Sequence, residues 1–292
     1  MIANTTRRLF LVGGAVLAAG GCAHAQDAPE AAVADITEIE RELGGRIGVS
    51  ARETGSGRRI RHRAGERFAM CSTFKAPLAA AVLSRIDRGD MDRAEMLRFD
   101  PENLLPTSPI STAHADAAAI SVLAACEAVV SHSDNTAANL LLERIGGPPV
   151  LTEFFRSLGD DVTRLDRYEM ALNSNLQGDE RDTTTPDAML DSLQAILLGD
   201  ALSPGSRERL TEWMLNEQRG KARIRAGAPA GWRVANKPGT SANGATNDIG
   251  ILWPPAGAPV AITVYVNAPD AQPAAREGAI AGIARAVAAA FG

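Results

Sequence analysis

The order of elements along the chain predicts an α/β (α+β) fold of two lobes, an antiparallel sheet flanked by terminal helices beside an all-helical lobe, with the active site in the cleft between them. Three observations predict it. Strand-like segments occur only towards the two ends of the chain, and the middle carries alanine- and leucine-rich helical periodicity. One helix precedes the first strands and another follows the last. The two ends can therefore share a sheet with helices laid on it, while the middle packs separately. Small-molecule sites favour such clefts.

Val33, Ile36, Ile39 and Leu43 recur at helical spacing, which predicts a helix over 30–43 that Gly44 and Gly45 end. Strands over 46–52 and 58–63 follow, joined by Gly55-Ser56-Gly57. The second strand holds the one basic cluster, Arg58 to Arg63, which Ile60 interrupts. An exposed hairpin strand explains that cluster better than a phosphate patch does. Helical segments are predicted over 76–88, 119–130, 135–145, 150–158 and 186–198. Between the last two lies a polar stretch without periodicity, Asp160 to Thr185, and a loop that long in a compact domain is usually functional or disordered. Strands are predicted over 232–237, 248–253 and 260–266, and an alanine-rich helix over 274–291 closes the chain. The sheet lobe is expected from about 26–66 and 221–292, and the helical lobe from about 67–220.

Residues 1–25 read as an export leader. Arg7-Arg8 lies before an apolar run from Leu9 to Ala19 that is too short to span a bilayer, and Ala23-His24-Ala25 offers a small-x-small cleavage site. The protein is expected to be periplasmic or secreted by the twin-arginine route. Lipidation at Cys22 is the minor alternative. Cleavage before Gln26 removes Arg7 and Arg8 and takes the net charge from -5 to -7, which argues against nucleic acid or an anionic membrane surface as a partner. Cys71 and Cys126 remain in the mature chain and read as small buried hydrophobes.

Ser72-Thr73-Phe74-Lys75 places a serine and a lysine three apart at the start of a helix, on one face. A desolvated lysine there can accept the serine proton, and the helix N-terminus favours negative charge. Alone, such a pair is more often incidental. Pro77 is an oddity, because an established helix would lose a backbone bond at that position. Ser133-Asp134-Asn135 precedes an apolar helical segment, where Asp134 or Ser133 could simply be the N-cap. Lys237-Pro238-Gly239-Thr240 would by itself read as a turn at the end of a strand.

Taken in this order, the three motifs resemble the signature set of class A serine β-lactamases and penicillin-binding proteins. The likeness to class A extends through Ser133–Gly147, Asp161–Glu169, Leu172-Asn173 and Glu180–Thr184, and covers essentially the whole mature chain. It implies hydrolysis of β-lactam antibiotics through an acyl-enzyme. Ser72 would be the nucleophile with Lys75 beside it. Glu169, with Asn173, would deliver the water that releases the acyl group. Ser133 would relay a proton to the lactam nitrogen, and Asn135 would bind the side-chain amide. The backbone N–H groups of Ser72 and Thr240 would form the oxyanion hole. Lys237, Thr240 and Arg223 would bind the substrate carboxylate. Arg276 matches the alternative position for that arginine in another branch, though here it reads as a solvated helix residue. Arg167 and Asp182 match the pair that ties the neck of the family's Ω-shaped loop.

Two positions depart from the pattern. Pro238 stands where a threonine or serine hydroxyl is usual, and Thr107 stands where the cleft edge usually carries an aromatic ring. Cys71 matches half of a disulfide found in family carbapenemases, but Ser241 holds the other position, so that bridge cannot form. A slowly deacylating DD-peptidase or β-lactam sensor is the nearest rival reading, and Glu169 with Asn173 argues against it. A Ser-His-Asp hydrolase finds no Gly-x-Ser-x-Gly, and the scattered histidines and cysteines suggest no metal. No cofactor is implied, and the protein is expected to act as a monomer on a small-molecule substrate.

Overall fold

The computed structural model describes Met1 and residues 23–292, and side chains from Ala28 onward. Most of the expected leader, including Arg7-Arg8 and Cys22, lies outside the described residues. The chain enters in α1 (Ala23–Leu43), which starts earlier than its apolar spacing suggested, and passes through β1 (Arg46–Glu53), β2 (Arg59–His62) and β3 (Phe68–Ala69). A 3₁₀ turn over Cys71–Phe74 leads into α2 (Lys75–Asp87). The helical lobe continues with β4 (Met96–Arg98), α3 (Pro109–Ala113), β5 (Ala119–Ser121), α4 (Val122–Ser131), α5 (Asn135–Ile145) and α6 (Pro148–Ser157). After the polar stretch come β6 (Thr183–Thr184), α7 (Pro186–Leu197), α8 (Pro204–Leu215) and α9 (Ile224–Gly227). The chain ends with β7 (Arg233–Thr240), β8 (Ala245–Trp253), β9 (Val260–Asn267) and α10 (Pro273–Phe291).

The main sheet is antiparallel in the order β2-β1-β9-β8-β7, so the two ends of the sequence meet where Val49 pairs with Val264. Successive residues of a strand face opposite sides, and β9 supplies the two large cores among the described residues. Ile262, Val264 and Val266 join Ile36, Ile280 and Ile283 of the terminal helices, whereas Ala261 and Tyr265 join Phe74, Leu78 and the helical lobe. Each fully buried aliphatic side chain is worth about 1.5–3 kcal/mol, so neither face can be left wet. The basic hairpin strand behaves as expected: Ile60 is buried, while Arg59 and Arg61 are exposed.

Local chemistry sets the helix ends. Asp134 caps α5, its carboxylate accepting from Ala137 N at 2.9 Å, and Gly146 ends the helix at φ +108°, a left-handed conformation that suits glycine. The 3₁₀ turn before α2 places Pro77 in that helix's first turn, where its missing N–H costs little. β7 runs past its expected end at Lys237 to Thr240, and it is an edge strand, which is where a sheet admits proline. Two further points depart from expectation. The segment expected as one helix over 119–130 begins as β5. Helix α8 was not predicted, because its buried residues Leu210, Trp213 and Met214 are scattered among charges.

Candidate active site

The strand leading to Ser72 is fixed before the helix begins. Met70 N donates to Asp182 O at 2.9 Å, and Asn247 of β8 donates its side-chain amide to Ala69 O at 2.8 Å and to Met70 O at 3.1 Å. Cys71 lies in the left-handed region at φ +47°, and Ser72 follows at the head of the 3₁₀ turn. Gly239 lets β7 close on this turn. A Cβ there would stand 2.7 Å from Met70 O and 3.1 Å from Ser72 N. The backbone leading to Thr240 therefore runs directly against the N–H of Ser72.

Lys75 is wholly buried and has three partners: Ser133 O at 2.9 Å, Asn135 Oδ1 at 2.5 Å and Glu169 Oε1 at 2.9 Å. Burial lowers its pKa, and the Glu169 carboxylate opposes that shift. Ser133, at φ +59°, turns its carbonyl to Lys75 and its hydroxyl to Lys237, whose Nζ lies 3.1 Å from Ser133 Oγ. Lys237 is also fully buried, and burial pushes it down to about 7; Glu217 and Asp248 act against the shift, Lys75 and Arg223 with it. The Asn135 amide is held on both sides, with Nδ2 donating to Pro106 O at 2.7 Å. Thr107 is exposed at this edge, so no aromatic wall stands there.

Glu169 arrives on the polar stretch. Asn173 Nδ2 donates to Glu169 Oε2 at 2.6 Å, while Asn173 Oδ1 is buried and accepts no hydrogen bond from the described residues. Asn139 grips the Glu169 backbone from α5, accepting from its N–H at 2.9 Å and donating to its carbonyl at 3.0 Å. Sequence reading passed over Asn139. Its signal was present, because Asn135 and Asn139 are four apart and share a helix face.

The neck of the stretch is a charged knot. Buried Asp182 pairs with Arg167 Nε at 2.5 Å and also accepts from the backbone N–H groups of Asp166 and Arg167 at 2.7 and 2.9 Å. Asp166 returns the contact by accepting from Asp182 N at 3.0 Å, a partner that the sequence did not suggest.

Arg223 is buried and fully engaged. It donates to Gly239 O at 3.0 Å, Asn247 O at 2.8 Å and Thr240 Oγ1 at 2.7 Å, and pairs with Glu277 at 3.2 Å. Arg276 is not the solvated residue expected of a helix start. It is 6% exposed and donates to Thr246 Oγ1 at 3.0 Å, Ala268 O at 3.0 Å and Ala271 O at 2.6 Å. Cys71 and Cys126 are free buried thiols, and burial pushes Cys71 up to about 12. Ser241 contacts the polar stretch, donating to Asn173 O at 2.6 Å. Hydrogen bonds and ion pairs thus link Asn173, Glu169, Lys75, Asn135, Ser133 and Lys237 into one chain. The Thr240–Arg223 pair reaches Ser72 through the backbone of Gly239.

Among the described residues no cluster of side chains could hold a metal ion. The chain matches the model of the Beta-lactamase enzyme family over residues 31–291. It is 46% identical over 243 residues to the β-lactamase L2 of Stenotrophomonas maltophilia, covering 83% of this chain and 80% of that protein. It is 44% identical over 251 residues to the carbapenem-hydrolysing β-lactamase KPC of Klebsiella oxytoca, covering 85% of each. Among solved structures, the class A β-lactamase of the last common ancestor of Gram-negative bacteria superposes with a TM-score of 0.87 at 49% identity, over 90% of this chain and 100% of that one.

Proposed function

This chain belongs to the class A serine β-lactamases, hydrolases that open β-lactam antibiotics and confer resistance, and from that premise we propose the residues that carry each step. Ser72 Oγ attacks the lactam carbonyl, Lys75 or a water held by Glu169 takes its proton, and the oxyanion forms against the N–H groups of Ser72 and Thr240. The lactam C–N bond breaks as Ser133 passes a proton to the departing nitrogen. Lys237, whose ammonium touches the Ser133 hydroxyl, favours that transfer. Glu169 then removes a proton from water, whose oxygen attacks the ester and returns Ser72 to its hydroxyl form. The buried, unsatisfied Asn173 Oδ1 beside Glu169 is the observation that carries this reading. An acceptor in that position is suited to holding the attacking water.

Asn135 would take the substrate's side-chain amide, and the carboxylate would fall to Lys237 and Thr240. Because Arg223 donates to Thr240 Oγ1, the threonine is free to donate its own hydroxyl proton onward, which offsets the hydroxyl that Pro238 lacks. Glu169→Ala tests the assignment: a penicillin should leave a stable adduct on the intact protein by mass spectrometry. Full turnover would refute the assigned role.

Among the described residues no helix is long and apolar enough to cross a membrane. We propose that residues 1–25 are a twin-arginine leader delivering a monomeric enzyme of residues 26–292, with its sheet lobe and helical lobe joined near 66 and 220. Lysines in place of Arg7 and Arg8 should strand the precursor in the cytoplasm. Undiminished periplasmic activity would point instead to the general secretory route.

A further inference from the structure

The loop that carries Glu169 and Asn173 is tied at its neck by charge, and a second tie of a different kind lies near its tip. Asn175 donates its side-chain amide to Asn243 O at 2.7 Å and to Asn267 Oδ1 at 3.0 Å. Asn243, in the turn between β7 and β8, donates its own amide to Ser174 O at 2.7 Å. Asn175 sits at φ +44°, a conformation that asparagine tolerates better than most residues, so its side chain can point back at the turn. Beyond it Leu176, Gln177 and Gly178 are all exposed.

We propose that Asn175, Asn243 and Asn267 form a latch that positions the deacylation machinery, acting on Asn173 and Glu169 through the loop rather than on the substrate. The inference rests on the assignment of those two residues to deacylation. Asn175 lies two residues from Asn173, and Asn243 lies three from Thr240, the proposed oxyanion donor. Asn243 N also donates at 3.0 Å to Ser241 Oγ, which itself holds Asn173 O. One short turn therefore fixes the oxyanion strand at one end and the water-holding amide at the other. Effective catalysis by a positioned water depends on placement at the ångström scale. With the latch gone, the ties left beside Asn173 are Ser241, which holds its carbonyl, and Arg167, which donates to Ser174 Oγ at 2.9 Å, so Asn173 should be held less closely while Ser72, Lys75 and Ser133 stay in place.

The test separates acylation from deacylation in the full-length mature enzyme. Asn175→Gly removes the amide while keeping the backbone conformation free of strain, and Asn243→Ala removes the reciprocal bond in an exposed turn. With a penicillin, each should slow deacylation about three- to tenfold, as expected for losing one or two ordinary hydrogen bonds. Both kcat and KM should fall together, kcat/KM should stay near wild type, and the steady-state acyl-enzyme fraction seen by rapid-quench mass spectrometry should rise. A role in stability alone would lower Tm and leave that fraction unchanged. If Glu169→Ala traps the adduct while both latch variants partition as wild type does, the latch is wrong and the site assignment stands. If Glu169→Ala turns over freely, both fall.

Discussion

The two halves of the site are built from different materials. The half we assign to acylation, Ser72, Lys75, Ser133 and Lys237, sits on helix starts and a strand end whose positions are set by the cores packed behind them, among them Phe74, Leu78 and Tyr265. The half we assign to deacylation, Glu169 and Asn173, sits on a stretch whose only regular elements between Asp160 and Thr185 are a 3₁₀ turn at Ala171–Asn173 and the two residues of β6. Buried Leu165 and Leu172 anchor it to the core, and polar contacts hold the rest, namely the Asp182–Arg167 knot, the Asn139 grip and the asparagines at the tip. Apolar packing spreads a position over many weak contacts, whereas a polar tie concentrates it in a few directional ones. A single polar substitution should therefore harm release of the acyl group far more readily than its formation.

The strongest way to break this comparison is Asp182→Ala. Removing one partner of a buried ion pair typically costs about 3–5 kcal/mol. If that loss falls on the loop, kcat drops by roughly a hundredfold or more and acyl-enzyme accumulates. Equal losses in acylation and deacylation rates by stopped flow would show that the halves are not separable. A smaller effect of opposite character sharpens the contrast. Arg223→Ala should lower kcat/KM by roughly ten- to a hundredfold, since charge-assisted hydrogen bonds are worth about 1.5–3 kcal/mol. No acyl-enzyme should build up. Arg276→Ala, whose guanidinium is bound to Thr246 and two backbone carbonyls, should lower Tm while changing KM little. Steady-state kinetics with one penicillin and one cephalosporin, beside thermal melts, would show whether the two arginines have been assigned the right way round.

How much of this was legible in the sequence follows the same division. The strands of the sheet and most helices of the lobe were readable, because alternation and helical spacing record which side chains face a core. Ser72, Lys75, Ser133, Asn135 and Lys237 announced themselves as motifs. Glu169, Asn173, Arg167 and Asp182 lie where no periodicity exists and were found only through resemblance to a family. Arg276 was misjudged because a helix start usually faces water, and nothing local reveals that two carbonyls from the loop after β9 close around it. Pro238 was legible as a departure from the family motif, but the edge position that lets a strand admit it is a property of the whole sheet. Asp166, Asn175 and Asn243 were missed for one shared reason. Each acts on the backbone of a segment distant in sequence, and such contacts leave no spacing rule behind.

That proline has one more consequence, which concerns solubility. An edge strand left uncovered exposes unpaired N–H and C=O groups that can recruit a strand from another molecule, the first step towards aggregation. β7 is the last strand on its side, yet Val234 to Gly239 are buried and only its ends, Arg233 and Thr240, are exposed. A proline fits within β7 only with its nitrogen facing away from β8, so it occupies a place on the outer rim where a hydrogen-bond donor would otherwise stand. Burial and the missing donor together leave a stray chain an incomplete ladder.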